Sequence, residues 1–507
     1  MGGKASIHAY FRAPGVTIRH TRDRGAVEVF FWGGLLAFAV RKKIESSENW
    51  RSVFFDFLDT RLNKIEEEYP MEDLGEISKA VFQERAEILG HLLLGLIERK
   101  FGHLLGQQKC ECPQCGKSMQ SQGKLSRHIQ TLAGQFELNR PYFYCRACRL
   151  GYYPLDEALG LSDSSKQYDV QDVEAWLSSE TAYETASETY ERITGVKLSE
   201  HHMHEVTNAT GQEVGILDTC PSKEDIHKKI EELSENKFRR PVMMLALDGA
   251  HGPMRPESIP HPRKGKRGAG EWKEIKGFRL YLIDDQSIVH LMSWHQVCRD
   301  DELAQDLVRI KEAGLIPEEK IRLGIIGDGA PWIWKRCKEI FPSAKEILDY
   351  YHCSEYVHDV ANAHYGKETR EARQWCEATL TRIYYDCHED VLGSLRRMKA
   401  QNQEVQDKID TFYNYLANHG EKMHYGSAKR GGYHIGSGAI ESANKFISHT
   451  RLKRSGAWWY IKYANNILKI RCAKYNGTYD KIINKYKRDD QERIKNKKFN
   501  HRLRIVK

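Results

Sequence analysis

V-M-M-L-A-L-D-G, Val242 to Gly249, is a run of six apolar residues closed by an acid and a glycine. So short and so uniformly apolar a run reads as a strand buried on both faces. The design recurs in I-R-L-G-I-I-G-D-G, Ile321 to Gly329, where the acid is Asp328. Between the two, Phe278 to Ile283 and Ile288 to Trp294 read as strands joined by a tight turn at Asp284, Asp285 and Gln286, and Asp300 to Ala313 reads as a helix. Downstream, a helix starts at Pro331, and a short strand from Glu346 to Leu348 ends in Asp349. A polar helical stretch then fills Lys367 to His419, and a Gly-rich loop, Gly426 to Gly438, leads into a helix carrying Glu441. Three neighbouring strands followed by alternating helix and strand predict a mixed α/β sheet.

An acid at the C-terminal end of a buried strand projects at the sheet edge, where open α/β sheets place their sites. Alone, such an acid is ordinarily a cap or a surface residue. Asp248 and Asp328 stand in matching contexts, each followed by a glycine expected to turn the chain sharply and leave room for a metal or phosphate. Glu441, in I-G-S-G-A-I-E-S-A, would add a third carboxylate from the first turn of a helix. Three carboxylates so placed can hold two Mg²⁺ ions about 4 Å apart, the arrangement that activates a water or hydroxyl in phosphodiester chemistry.

Upstream, C-P-Q-C (Cys112 to Cys115) and C-R-A-C (Cys145 to Cys148) are separated by about thirty residues, with Gly116 and Gly151 close behind. Two such turns can close a tetrahedral structural zinc site; a redox pair and unrelated buried cysteines are the other readings. Pro113 and Gly116 assign the ligand role to Cys112, leaving Cys110 as a bystander. A helix from Ala182 to Thr194, a turn at Gly195 and a second helix capped by Ser199 outline a helix-turn-helix or a generic helical hairpin. Ser222 to Arg240 reads as a charged linker.

At 507 residues the chain is too long for one core, and 40% hydrophobic with 29% charged residues describes a soluble protein. Twelve cysteines, seven of them scattered singly outside the ribbon, fit no disulfide framework and point to a reducing compartment. The longest apolar stretch, Val29 to Val40, is too short to span a bilayer, and Met1 to Arg24 carries no cleavage pattern. The net charge of +8 is concentrated at the C-terminus: Asp480 to Lys507 holds eleven Lys or Arg against four acids, as a phosphate-binding tail or a solvated terminus would.

L-A-L-D-G-A-H-G (Leu245 to Gly252), G-D-G-A-P-W-I-W (Gly327 to Trp334), D-Y-Y-H (Asp349 to His352), G-S-G-A-I-E-S-A (Gly436 to Ala443) and R-L-K-R-S-G (Arg451 to Gly456) occur in this order. Together they resemble the motifs of DDE transposases of bacterial insertion sequences, and in layout the Kra-type group. The resemblance covers roughly Gly106 to Tyr475. It implies a multidomain α/β chain with an RNase H-like catalytic core interrupted by an all-helical insertion. Asp248, Asp328 and Glu441 would be the Mg²⁺-binding (or Mn²⁺-binding) catalytic triad, with Asp349 and His352 in support. Cys112, Cys115, Cys145 and Cys148 would hold structural zinc.

Around that core, Arg451, Lys453 and Arg454 would grip DNA phosphates, and Arg263, Lys264, Lys266 and Arg267 form a basic Pro/Gly-rich loop whose plainer reading is a solvated surface. The implied organisation is an N-terminal helical region (1–105), a zinc ribbon (106–153) and a helix-turn-helix-like region (160–221). The core follows in two parts (240–366 and 426–475) around the insertion (367–425), and a basic tail (476–507) ends the chain. The implied partners are double-stranded DNA, both element ends and target, and a second copy of the chain. No membrane is involved, and the location is cytoplasmic at the bacterial nucleoid. A zinc-dependent DNA-binding regulator without strand transfer, and a nuclease that cuts without joining, are the alternatives. A zinc hydrolase is disfavoured because four thiolates leave no open coordination position.

Overall fold

The structure, a computed structural model, describes residues 50–256, 270–285 and 287–500, together with the strands at 16–20 and 27–31. The basic loop with Arg263, Lys264, Lys266 and Arg267, Gln286 of the expected turn, most of the apolar stretch after Phe31 and the last residues of the basic tail lie outside the described residues. The chain divides into two compact units, Met1–Gln108 and Lys109–Lys507.

The first unit pairs β1 (Val16–His20) antiparallel with β2 (Val27–Phe31) and folds α1 (Trp50–Glu68) against α2 (Leu74–Leu105). Arg61 and Lys64 of α1 reach Glu84 of α2 at 2.9 and 2.8 Å, and Phe57 stacks on His91. Gly95 is required by close approach: a Cβ there would lie 2.5 Å from the Trp50 ring.

The second unit opens with a four-stranded antiparallel sheet in sequence order: β3 (Lys109–Glu111), β4 (Ser118–Gln130), β5 (Gln135–Cys145) and β6 (Leu150–Tyr152). A short helix, α3 (Pro154–Ala158), sets Asp156 against Arg140 and Arg127 and so ties β4 and β5 to the chain that follows. Next come α4 (Tyr168–Glu180), α5 (Tyr183–Thr194) and α6 (Glu200–Gln212). Gly195 turns left-handed after α5, and the Ser199 hydroxyl accepts the His202 N–H to start α6. The segment read as a charged linker is instead α7 (Lys223–Ser234). Ile226 and Ile230, one helical turn apart, anchor it in the main core.

The central sheet contains β7 (Val242–Met254), β8 (Glu271–Asp284), β9 (Ser287–Gln296), β10 (Arg322–Gly327) and β11 (Lys345–Leu348), in the order β11-β10-β7-β8-β9. β7 pairs antiparallel with β8 and β8 with β9, whereas β10 lies parallel to β7 and β11 parallel to β10. α8 (Asp300–Glu312) and α9 (Pro331–Ile340) complete the crossovers.

β7 does not end at Asp248. It pairs with β10 only from Val242 to Ala246 but stays on β8 through Met254. Pro253 is tolerated because that side of β7 has by then lost its strand neighbour. Asp248 therefore sits where β7 and β10 part, in mid-strand rather than at a turn. Gly249 has ordinary backbone angles, and its missing side chain makes room for Glu274, whose Oε1 would lie 2.1 Å from a Cβ there.

α10 (Tyr350–Tyr365) carries α11 (Arg370–Tyr384), α12 (His388–Arg397), α13 (Gln403–His419) and α14 (Tyr425–Arg430). Their buried residues, among them Cys376, Ile383, Leu395, Phe412 and Leu416, belong to the same hydrophobic core as the sheet. The chain returns through α15 (Gly438–Asn444), a π-helical turn and α16 (Thr450–Leu452), and then forms α17 (Ile461–Tyr475) and α18 (Tyr479–Asn500). The stretch expected as a basic tail is thus largely helical. Tyr479 and Ile482 are buried, and Tyr486 donates to Gln171 Oε1 at 2.7 Å. Among the described residues no helix is long and apolar enough to cross a membrane.

Candidate functional site

Each of the parallel strands delivers an acid to the same edge. Asp328 follows β10, and its carboxylate accepts the Ala330 N–H at 2.9 Å, opening the turn into α9. Asp349 follows β11 and caps α10 through the Tyr351 N–H at 2.9 Å, while its own N–H donates to Gly327 O. Asp248 accepts the Gly249 N–H on Oδ1 at 2.7 Å. Glu441 arrives from the first turn of α15, whose N-cap is Ser437.

Two further side chains on that helix tie the acids together. Ser437 Oγ lies 2.5 Å from Asp349 Oδ2 and 2.7 Å from Glu441 Oε1. A hydroxyl has one proton to give, so these two carboxylates share a single donor and the second contact needs another proton or a cation. Asn444 donates from Nδ2 to Asp248 Oδ2 at 2.6 Å, and its Oδ1 faces His295 Nε2 at 2.8 Å. Because Asp248 can only accept there, the Asn444 oxygen must face the histidine, which fixes the His295 proton on Nε2. Asn444 and His295 are buried, and His295 Nδ1 has no partner. Burial holds the His295 pKa down to about 4, so the ring is neutral. Gly277 is required here, since a Cβ would lie 2.4 Å from the His295 ring.

Burial raises Asp248 most, the Gly249 N–H opposes it, and the charges of Asp328, Glu441 and Asp349 add to the rise, bringing it to about 6. Burial likewise raises Asp349, against the Ser437 hydrogen bond. For Asp248 the folded value exceeds the unfolded 3.8, so between about pH 4 and 6 the folded state holds a proton that the unfolded chain has released. Stability in chelator is therefore expected to fall as pH rises through that window. Divalent-metal affinity should rise across it, as the carboxylate empties. Melting curves in EDTA and metal titrations at pH 4.5 to 7 check both signs.

The helical insertion closes one side of the site. A Cβ on Gly329 would lie 3.0 Å from Tyr415 Cε2 and 3.3 Å from His419 Nε2, so this glycine admits α13 beside Asp328 rather than leaving an open approach. His352 is half-exposed, pairs with Glu355 at 3.5 Å and packs edge-on against Tyr356 and Tyr415. It packs on the aromatic side chains that border the site.

The zinc candidates meet closely. Cys112, Cys115, Cys145 and Cys148 bring their sulfurs within 4.8 Å of one another, and Cys110 stands outside the group. The separations of 3.9 Å (Cys112 to Cys148) and 3.7 Å (Cys115 to Cys145) match the roughly 3.8 Å edge of a tetrahedron with Zn–S bonds of about 2.3 Å. Among the described residues this is the one such group; the carboxylates do not gather so closely, and Ser437 lies between Asp349 and Glu441. Gly116 (φ 69°) turns the first knuckle, but Arg149 (φ 51°), not Gly151, turns the second. Gly151 lies in β6, where a Cβ would come 2.8 Å from the Tyr142 hydroxyl.

One expectation is corrected. Arg451 is buried: its Nε donates to Ser178 O at 2.9 Å, and its guanidinium covers the rings of Tyr183 and Trp459. It joins α16 to α4 and cannot reach a phosphate, whereas Lys453 and Arg454 are exposed. Arg451→Ala is expected to cost about 2–3 kcal/mol of stability in denaturant melts. In the helix-turn-helix outline, α6 buries Met203, Val206, Thr207, Asn208 and Thr210, and its exposed stripe is Glu200, His201, Glu205, Ala209 and Gln212. That stripe bears two acids and no lysine or arginine, a poor surface for a DNA groove.

Ser437, Asn444, His295, Tyr415 and His419 were not singled out as site residues from sequence. Ser437 and Asn444 had a usable signal, since they lie four residues before and three after Glu441 on one helical face. The others are brought in by tertiary packing alone.

The model of an uncharacterised protein family (UPF0236) matches residues 73–489, and the chain belongs to that family. No curated protein matches the sequence. Six chains among solved structures match. One is from the Drosophila P element transposase strand transfer complex, at 9% identity and a TM-score of 0.28, covering 62% of this chain and 93% of that one.

Proposed function

We propose that this protein is a DDE-type DNA transposase of a bacterial insertion sequence, of the Kra-type group, with an RNase H-like core, an all-helical insertion and a zinc ribbon. The observation that carries the reading is the convergence of Asp248, Asp328, Asp349 and Glu441 on one edge of a mixed sheet, knitted by Ser437 and Asn444. Three antiparallel strands followed by two parallel ones, in the order β9-β8-β7-β10-β11, support the RNase H-like assignment. The five sequence motifs, in their order, support the family assignment.

The donor set suits Mg²⁺ or Mn²⁺: hard carboxylate oxygens in excess of available protons, with no cysteine among them. Bound there, such ions supply Lewis-acid activation of a water or 3′-hydroxyl and of the leaving oxygen. Asp248 and Asp328 supply anionic ligands from the sheet, Glu441 supplies one from the opposite wall, and Asp349 holds Ser437 in place. Lys453 and Arg454, exposed beyond α16, hold backbone phosphates. Cys112, Cys115, Cys145 and Cys148 hold zinc and stiffen a ribbon whose β4 exposes Gln120, Gln122 and Lys124 for DNA. Bringing two element ends together calls for at least a dimer on DNA.

Incubation with Mg²⁺ and a DNA fragment carrying the flanking inverted repeats should give nicked and joined products, absent with Asp328→Ala. Specific binding without cleavage would favour the zinc-dependent regulator, and cleavage without joining a nuclease.

A further inference from the structure

We infer that Ser437 and Asn444 are positioning residues that set the carboxylates around Glu441 for metal binding, and that His295 fixes Asn444. The inference rests on the metal-site reading above and names the residues that make that site work.

Ser437 and Asn444 stand seven residues apart, two helical turns, with Glu441 between them. Each reaches across to a different strand: Ser437 to Asp349 behind β11, Asn444 to Asp248 on β7. One short helix thereby fixes the spacing of three acids whose mutual repulsion would otherwise splay them. Ser437 adds a link within the helix, to Glu441 itself.

The Asn444 link is directional. Its amide N–H₂ meets the carboxylate only while its oxygen is held by the Nε2–H of His295, and that ring is locked by burial and by the close approach of Gly277. Turning the amide over would set oxygen against oxygen at Asp248 and leave the His295 N–H facing the amide N–H₂. Asp248 is thus held by Asn444 on one oxygen and by the Gly249 N–H on the other. A ligand held this way binds a cation without first giving up rotamer freedom.

Calorimetric titration of the full chain with Mn²⁺ at fixed pH tests this, with the melting temperature in EDTA as the control for folding. Partners that orient metal ligands are typically worth about 10–100-fold in metal affinity, and that loss is expected for Asn444→Ala and for Ser437→Ala. His295→Gln keeps an N–H near the Asn444 oxygen and should bind Mn²⁺ nearly as wild type, whereas His295→Phe should bind as weakly as Asn444→Ala. A merely structural role would lower the melting temperature of both histidine variants and leave the Mn²⁺ affinity of the folded protein unmoved. If wild type binds Mn²⁺ and both Asn444→Ala and Ser437→Ala bind it equally well, the tethers are refuted and the metal site stands. If wild type binds no Mn²⁺, the metal site itself is refuted and the tethers with it.

Discussion

Asp248→Asn is expected to lower metal-dependent DNA cleavage by about 10³-fold or more while leaving the protein folded and no less stable near pH 7. The rate estimate takes roughly 4 kcal/mol for the charge stabilisation that a correctly held metal gives the transition state, at 1.36 kcal/mol per tenfold. The stability estimate follows from the surroundings of this carboxylate. Above pH 6 it is an ion forced into a buried setting beside Asp328, Glu441 and Asp349, which is why its pKa is raised to about 6. The amide removes that charge. It also offers one acceptor where the carboxylate offered two, so either Asn444 or the Gly249 N–H loses its partner, costing about 1–3 kcal/mol. The two effects oppose each other, and removal of the charge gains weight as pH rises from 5 to 8. Cleavage assays beside melting curves over that range separate them. Unchanged activity would remove Asp248 from the site.

The second large effect is expected at the cysteine cluster. Cys145→Ser, or a strong zinc chelator, should unfold the cysteine end of the ribbon, Lys109 to Gln120 and Phe143 to Tyr152, and leave the central sheet protected. The cysteine end of the ribbon has little else to hold it: its buried cluster is Met119, Phe143 and Leu150 beside Cys112, Cys145 and Cys148, whereas Ile129, Phe136 and Leu138 are buried at the far end of β4 and β5. Structural zinc contributes about 10–16 kcal/mol in small domains, more than so few side chains can replace. The central sheet draws on a far larger core, from Ile216 through Cys472. Hydrogen exchange should show protection lost first at β3, β6 and the cysteine ends of β4 and β5, with one zinc released per chain. Retention of ribbon protection after complete zinc removal would mean the thiols are packing residues only.

Much of the site was legible because Asp248 and Asp328 each follow an unbroken apolar run, Val242 to Leu247 and Leu323 to Gly327. The length of β7 was not legible, because Gly249, Gly252 and Pro253 read as breakers. They are tolerated where β10 has departed and Glu274 and Ile275 of β8 fill the space that the glycines leave. α7 was hidden by its charge, although Ile226, Ile230 and Leu233 already made a stripe one residue wide. Arg451 misled for the opposite reason. Cations near an expected DNA site invite a phosphate, and only the fold shows the Tyr183 and Trp459 rings enclosing this one. The positions of Tyr415 and His419 depend on how the insertion returns to Gly329, a contact made across more than eighty residues that no local pattern records.

The most direct measurement is anomalous diffraction from crystals of the protein soaked in Mn²⁺, with data at the manganese and zinc edges. The account predicts manganese in contact with Asp248 and shared with Asp328 or Glu441, and zinc enclosed by Cys112, Cys115, Cys145 and Cys148. Zinc present at the four cysteines with no manganese among the carboxylates, at a concentration that supports cleavage, would contradict it.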